Sequence, residues 1–320
     1  MKISFILSIL IISYSLSAPQ VPSDYTVAPW QGFKQGAITY SFDDGCGGQL
    51  SAAIPALNKY GLHATFNLVT QWVSNWGAWK QAAGNGHEIA SHTVSHANLN
   101  QAGENELSQS KQTIQQQIGQ ECVTIVYPNC VTGNKGSMAR YYISGRTCSG
   151  QLVGPNPGDM FEISSLIVGN TGQLNNANAL NSKANEAAQQ GKWAVFLIHG
   201  VDGDGGYSPI SSSDLDQHFS FVKQQGKWWV ATFKDVSKYI LEANSLVIKE
   251  TGSDGNFIVD VSCTHQTSIT KLDTPVTVSR KVSCSNPKVT QNGSAVESTP
   301  ANGQVIFNVI PGNKYTIQCS

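Results

Sequence analysis

Charge is scarce in this 320-residue sequence: Asp, Glu, Lys and Arg make up only 13% of it and nearly cancel, at a formal net charge of −1. A nucleic-acid binder needs a basic surface to displace counterions from phosphates, so that class is excluded. Paired CxxC motifs are missing too. The seven cysteines, Cys46, Cys122, Cys130, Cys148, Cys263, Cys284 and Cys319, stand singly, which removes a cysteine zinc site and leaves the disulfides of an oxidising compartment. Four precede residue 150 and three follow residue 260, so two bridges in the first part and one in the second would leave an odd thiol. No apolar run beyond the N-terminus reaches membrane length. The run that follows Met1-Lys2, "ISFILSILII", is itself too short to span. With the small residues up to Ala18 it has the layout of a secretory signal peptide over residues 1–18. The expectation is a secreted monomer, extracellular or cell-wall associated, with neither nucleic acid nor membrane as partner.

Two periodicities divide the rest. Up to residue 248, buried strand-like runs ("AITYSF", "HATFNLV", "VTIVYP", "SSLIVG", "WAVFLIHG", "WWVATF") alternate with helical ones ("QLSAAIPALNKYG", "ELSQSKQTIQQQIG", "NSKANEAAQQG", "DLDQHFSFVKQQG"), several closed by Gly. That alternation predicts an α/β barrel or parallel sheet. Residues 249–320 carry short alternating runs between Asn, Gly, Pro and Asp turns, the pattern of a small β-sandwich. The sequon Asn292-Gly293-Ser294 falls in its turn-rich part and would carry a glycan.

Two stretches bear chemistry. In "GAITYSFDDGCGG" Asp43 and Asp44 stand where a strand stops, and parallel α/β folds gather their chemistry at the carboxyl ends of strands. Neighbouring side chains on an extended segment diverge, so one carboxylate can hold a metal while the other handles protons. In "GHEIASHTVSH" His92 and His96 are spaced i, i+4, which on a helical turn puts both imidazoles on one face. Two histidines and a carboxylate form a metal set with open positions. The HExxH protease pattern is absent, because the histidine after His87-Glu88 comes one residue late.

These residues resemble the polysaccharide deacetylases of carbohydrate esterase family 4, the NodB-type domains. "YSFDDG" is similar to that family's TFDDG, His92-Thr93-Val94-Ser95-His96 matches its H(S/T)xxH, and Leu197-Ile198-His199 matches its late Leu-x-His. The resemblance covers roughly residues 35–240. It implies a distorted (β/α) barrel, placed here over residues 19–248; the small β-rich accessory domain at 249–320 lies outside the resemblance and rests on its alternating pattern. It further implies Asp44, His92 and His96 as ligands of a divalent metal, zinc or cobalt, with Asp43 as general base and His199 as acid. A water activated at the metal would attack an acetyl carbonyl. Asn129 would supply an oxyanion N–H, and Tyr127, Leu197 and Tyr207 would line the substrate site.

Two departures stand out. The family's Arg-x-Pro-Tyr reads "VYPNC" here, with Val126 in the arginine's place, and the tryptophan that helps hold that arginine has no counterpart in "GDMFEISSLIVG". Arg140 and Arg146 are the arginines that could replace the lost charge. Trp72, Trp76, Trp79 and Tyr207 are aromatics available to stack on sugar rings. The expected substrate is an N-acetylglucosamine polymer such as chitin. Acetylated xylan, or a catalytically weakened glycan-binding protein, are the alternatives.

Overall fold

The computed structural model describes residues 18–319, so the expected signal peptide lies outside them but for Ala18. A short strand, β1 (Tyr25–Val27), leads into β2 (Gly36–Asp43), which is buried along its whole length, as a strand covered on both faces must be. With it run β3 (Thr65–Leu68), β4 (Glu88–Ser91), β5 (Thr124–Val126), β6 (Ser144–Arg146), β7 (Leu166–Ile167), β8 (Trp193–Ile198) and β9 (Trp228–Val230). They form one curled parallel sheet in the order β6-β5-β4-β3-β2-β8-β7, with β9 also paired to β2. Because the pairings are parallel, the carboxyl ends of the strands share one rim.

Helices α1 (Ile54–Tyr60), α2 (Trp76–Gly84), α3 (Asn105–Ile118), α4 (Lys135–Met138), α5 (Ala177–Gln189), α6 (Ser212–Gln225) and α7 (Phe233–Ala243) accompany the sheet. This is the distorted (β/α) barrel expected. Gly61, Gly119 and Gly226 cap α1, α3 and α6 at φ of 62°, 82° and 61°, a left-handed geometry that glycine adopts without strain. Among the elements that escaped the sequence pattern are β4, β6, α2 and α7. Strands β4 and β6 are short and carry Glu88, Ser91, Ser144 and Arg146 in buried positions, so they do not look apolar. Helix α2 was hidden in a tryptophan-rich loop. Helix α7 begins inside "WWVATF", where the Thr232 side chain caps it by accepting the Asp235 N–H. The main core gathers Phe42, Phe66, Trp79, Phe196 and Phe219, and a second core seats Trp193 and Phe233 beside α7.

The remaining strands are β10 (Leu246–Ser253), β11 (Asn256–Cys263), β12 (Val276–Lys281), β13 (Pro287–Gln291), β14 (Ser294–Ala295), β15 (Ser298–Ala301), β16 (Gln304–Val309) and β17 (Lys314–Cys319). They make two antiparallel sheets, β10-β11-β17-β13-β14 and β1-β12-β16-β15, the small all-β part expected. Strand β1 belongs to the second of these sheets, pairing Tyr25–Val27 with Arg280–Val278. Their core also takes in Tyr239 and Ala243 of α7. The Tyr239 hydroxyl donates to the Ala28 carbonyl at 2.9 Å, and Glu250 receives both Arg280 (2.8 and 2.9 Å) and the Tyr25 hydroxyl (2.6 Å). Asn292 is exposed at the tip of the β13–β14 hairpin, and it and Gly293 both have positive φ.

The cysteines pair differently from the expectation. Cys130–Cys148 and Cys284–Cys319 are bridged, whereas Cys46, Cys122 and Cys263 are free. Cys46 follows the end of β2 and Cys122 precedes β5, so parallel strands hold them at opposite rims of the sheet. Among the described residues no helix is long and apolar enough to cross a membrane.

Candidate active site

The strand-end rim holds every charged group the motifs singled out. Asp43 is the last residue of β2 and is buried. Asp44 follows at φ 73°, a left-handed turn that leaves the strand and brings its carboxylate beside two imidazoles. Its Oδ1 lies 3.4 Å from His92 Nε2 and 3.8 Å from His96 Nε2. His92 and His96 do not share a helical turn. They flank a loop entered at the end of β4, with Thr93 at φ 69° and His96 at φ 61°. The i, i+4 spacing still brings the rings together, at a centroid distance of 4.9 Å, by a different backbone path.

This trio fits a divalent metal. One ligand atom from each residue lies within 4.8 Å of the others. Asp44 Oδ1 is buried without a hydrogen-bond partner, which is costly for a carboxylate oxygen unless a cation takes it. His92 Nδ1 sits 3.0 Å from the Val126 carbonyl, which fixes the proton there and leaves Nε2 with a free lone pair. Burial, together with His92, holds His96 below the ordinary imidazole range against the pull of Asp44 and Asp43, so it too presents a neutral nitrogen. Burial alone would push the Asp44 carboxyl up, but His92, His199 and His96 outweigh it and keep it low. An oxygen and two imidazoles are the donors that zinc and similar ions take.

Asp43 has a different set of partners. Its Oδ1 accepts from Asn67 Nδ2 at 2.8 Å, and its Oδ2 forms a buried ion pair with Arg146 Nη2. The charge that Val126 lacks is therefore present one strand away. Val126 of β5 and Arg146 of β6 are register partners, so the guanidinium enters the same space from the neighbouring strand. Arg146 is steadied by Ser165, whose Oγ accepts from Nη1 at 2.9 Å. That serine comes from the segment in which the tryptophan was missing. Arg140 plays no part here, since it pairs with Glu104 on the surface.

His199 completes the group, with Nε2 4.0 Å from Asp43 Oδ2. Burial lowers its affinity for protons, Asp43 and Asp44 raise it, and the net position is low. The Gln49 amide, absent from the sequence reading, donates to the Asp43 carbonyl at 2.6 Å and to the His199 carbonyl at 3.0 Å, tying the ends of β2 and β8 together. No spacing rule points to Gln49, because its role depends on how two distant strands end.

Residues 31–137 match the family model described as polysaccharide deacetylase. The matched stretch takes in Asp43, Asp44, His92 and His96 of the rim. The fold of the chain is similar to that of a probable polysaccharide deacetylase from Pseudomonas aeruginosa PAO1 (12% identity, 67% of this chain and 93% of that one, TM-score 0.53). A candidate polysaccharide deacetylase from Mycobacterium smegmatis is comparably similar (16% identity, 70% and 94%, TM-score 0.52). In sequence the chain is 26% identical over 294 residues to a gellan lyase from a Bacillus species; the match takes in 82% of this chain and 12% of that much longer protein.

Two exposed aromatics lie against histidines of the rim. Trp72 stacks on His96 (centroids 5.3 Å apart, planes 25° apart), and Tyr207 meets His199 edge-on at 5.1 Å. Trp79 is core and Trp76 packs partly against it, so neither is free to stack on sugar. Tyr127 is buried with its hydroxyl donating to the Phe161 carbonyl at 2.9 Å, which removes it from the expected substrate-lining set. Leu197 is buried on β8 just before His199. Asn129 is exposed at φ 51° in the loop after β5, and the Cys130–Cys148 bridge ties that loop to the residues following Arg146.

Proposed function

We propose that this protein is a secreted, metal-dependent hydrolase that removes N-acetyl groups from N-acetylglucosamine polymers such as chitin. One observation carries the reading: a single rim brings together a metal-ready Asp44–His92–His96 trio, an ion-paired Asp43 and His199. Asp44, His92 and His96 would hold zinc, which when bound supplies Lewis acidity for the carbonyl and activates water. Asp43 is the general base. Arg146 and Asn67 fix its two oxygens, so its free lone pairs face the opening in one orientation. The Asn129 backbone N–H donates to the developing oxyanion, and Leu197 lies against the acetyl methyl. His199, whose Nε2 lies 4.0 Å from Asp43 Oδ2, passes to the leaving atom the proton that Asp43 takes from the water.

The acid favours the amide over the ester. A sugar nitrogen departs only once protonated, while an alkoxide is a better leaving group, so a built-in acid matters most for N-acetyl substrates. Trp72 and Tyr207 provide flat faces on either side for pyranose rings. The two disulfides support function in an oxidising setting outside the cytosol. The Arg146 guanidinium beside Asp43 supports a competent base over a catalytically weakened site.

The test is acetate release from chitooligosaccharides, acetylated xylan and peptidoglycan by zinc-loaded protein. Chitooligosaccharides should be preferred. Asp43→Asn should retain zinc and lose turnover by at least 10²-fold, whereas His92→Ala should lose both. Near-normal turnover in Asp43→Asn would remove the base assignment, and acetate from xylan alone would move the substrate to O-acetyl esters.

A further inference from the structure

Thr93 and His96 both occupy left-handed backbone, at φ 69° and 61°. Neither is glycine, and Thr93 is β-branched, so each carries backbone strain that the surroundings must offset. The loop meets α3 on one side. There Glu106, in the first turn of that helix, accepts the N–H of Val94 at 2.8 Å and that of Ser95 at 2.9 Å on Oε2, and the Ser95 hydroxyl at 2.9 Å on Oε1. On the other side the Thr70 and Gln71 N–H groups donate to the Thr93 and Val94 carbonyls at 3.2 and 3.0 Å. Thr93 Oγ1 adds only a long bond from the Ala97 N–H, at 3.3 Å. Of these contacts only those to Glu106 involve a charged group, and charge-assisted bonds are the stronger kind.

We infer that Glu106 is a positioning residue for the metal: it holds residues 93–96 in the strained shape that lets His92 and His96 converge with Asp44, without touching the ion itself. The inference rests on the metal reading proposed above. His92 is also fixed by its bond to the Val126 carbonyl, whereas His96 has the loop and the face of Trp72. Loosening the loop therefore acts chiefly on His96. Outer partners of this kind change metal affinity by about 10- to 100-fold when removed.

The experiment compares full-length wild type, Glu106→Ala, Glu106→Gln and, as a control on the exposed face of α3, Gln109→Ala. Zinc affinity is read by chelator competition, and hydrogen exchange is read on the peptide spanning residues 92–98 in the metal-free protein. Glu106→Ala should weaken zinc 10- to 100-fold and speed exchange in that peptide, leaving exchange in β2 and β8 unchanged. Glu106→Gln keeps one acceptor oxygen for the two amides and should fall between; it also serves if the alanine variant does not fold. Gln109→Ala should match wild type. Unchanged zinc affinity in both Glu106 variants, with or without faster loop exchange, overturns the inference while leaving the metal reading intact. A wild type that binds neither zinc nor cobalt overturns the metal reading and the inference with it.

Discussion

At the scale of single residues, the Asp43–Arg146 pair sets the terms. Both side chains are buried, and a buried charge left without its partner costs far more than the pair is worth. Arg146→Met should therefore destabilise the metal-free protein by about 3–5 kcal/mol, read by chemical denaturation. It should also lower kcat while zinc content stays near one per chain, because Arg146 touches no metal ligand. Loss of zinc in that variant would mean that the two halves of the rim are not separable. Arg146→Lys should recover part of the stability but less of the rate, since an ammonium cannot bridge Asp43 and Ser165 with the fixed fork of a guanidinium. Val126→Arg should add nothing useful: Val126 is fully buried and the space it would aim at already holds a guanidinium.

Among the elements, α7 is the joint between barrel and sandwich, and its Glu242 is fully buried beside the chain leading into β12. Both its oxygens accept the Thr274 N–H, at 2.9 and 3.1 Å. Burial pushes its carboxyl from the ordinary 4.5 up to about 7; the Thr274 bonds and Lys238 pull the other way, and Asp273 adds to the rise. Between those two values the unfolded chain releases a proton that the folded one keeps. The Glu242 contribution is thus fully present below pH 4.5 and is lost as pH rises through 7, by roughly 3 kcal/mol. Glu242→Gln stays neutral, so its stability relative to wild type should climb across that interval, and a difference independent of pH would show that Glu242 is ionised in the fold. None of this was visible in the sequence, where α7 looked like the tail of a strand. The long periodic elements were legible: β2, β8, α3 and α6 announce themselves by continuous apolar runs or by 3.6-residue spacing ending in Gly. So were Asp43, Asp44, His92 and His96, whose spacing is local, and His199, which stood out only through the late Leu-x-His of the resemblance. Arg146 could be named only as one of two candidates beside Arg140, and Glu106, Gln49 and Ser165 not at all, because each acts across strands or helices whose pairing only the folded sheet defines.

For the whole molecule, the boundary near residue 248 is crossed by more than a linker. Tyr25, Tyr239, Ala243 and Leu246 are buried against the sandwich core, and β1 has its ladder there. Exposing large apolar side chains costs about 1.5–3 kcal/mol each. A chain ended at residue 248 should accordingly melt well below the full one, by at least 10 °C, or aggregate, in contrast to what two independent domains would do. Equal melting temperatures would show the barrel to be self-sufficient. The same topology governs manufacture on the ribosome. Strand β1 precedes every barrel strand in the chain yet waits for residues 278–280, and β17 takes a central place between β11 and β13 although it follows both in sequence. The barrel strands are all made before β17, so the sandwich cannot complete its sheets until residues 314–319 are out. Its Cys284–Cys319 bridge therefore closes only after every strand of the rim has been made.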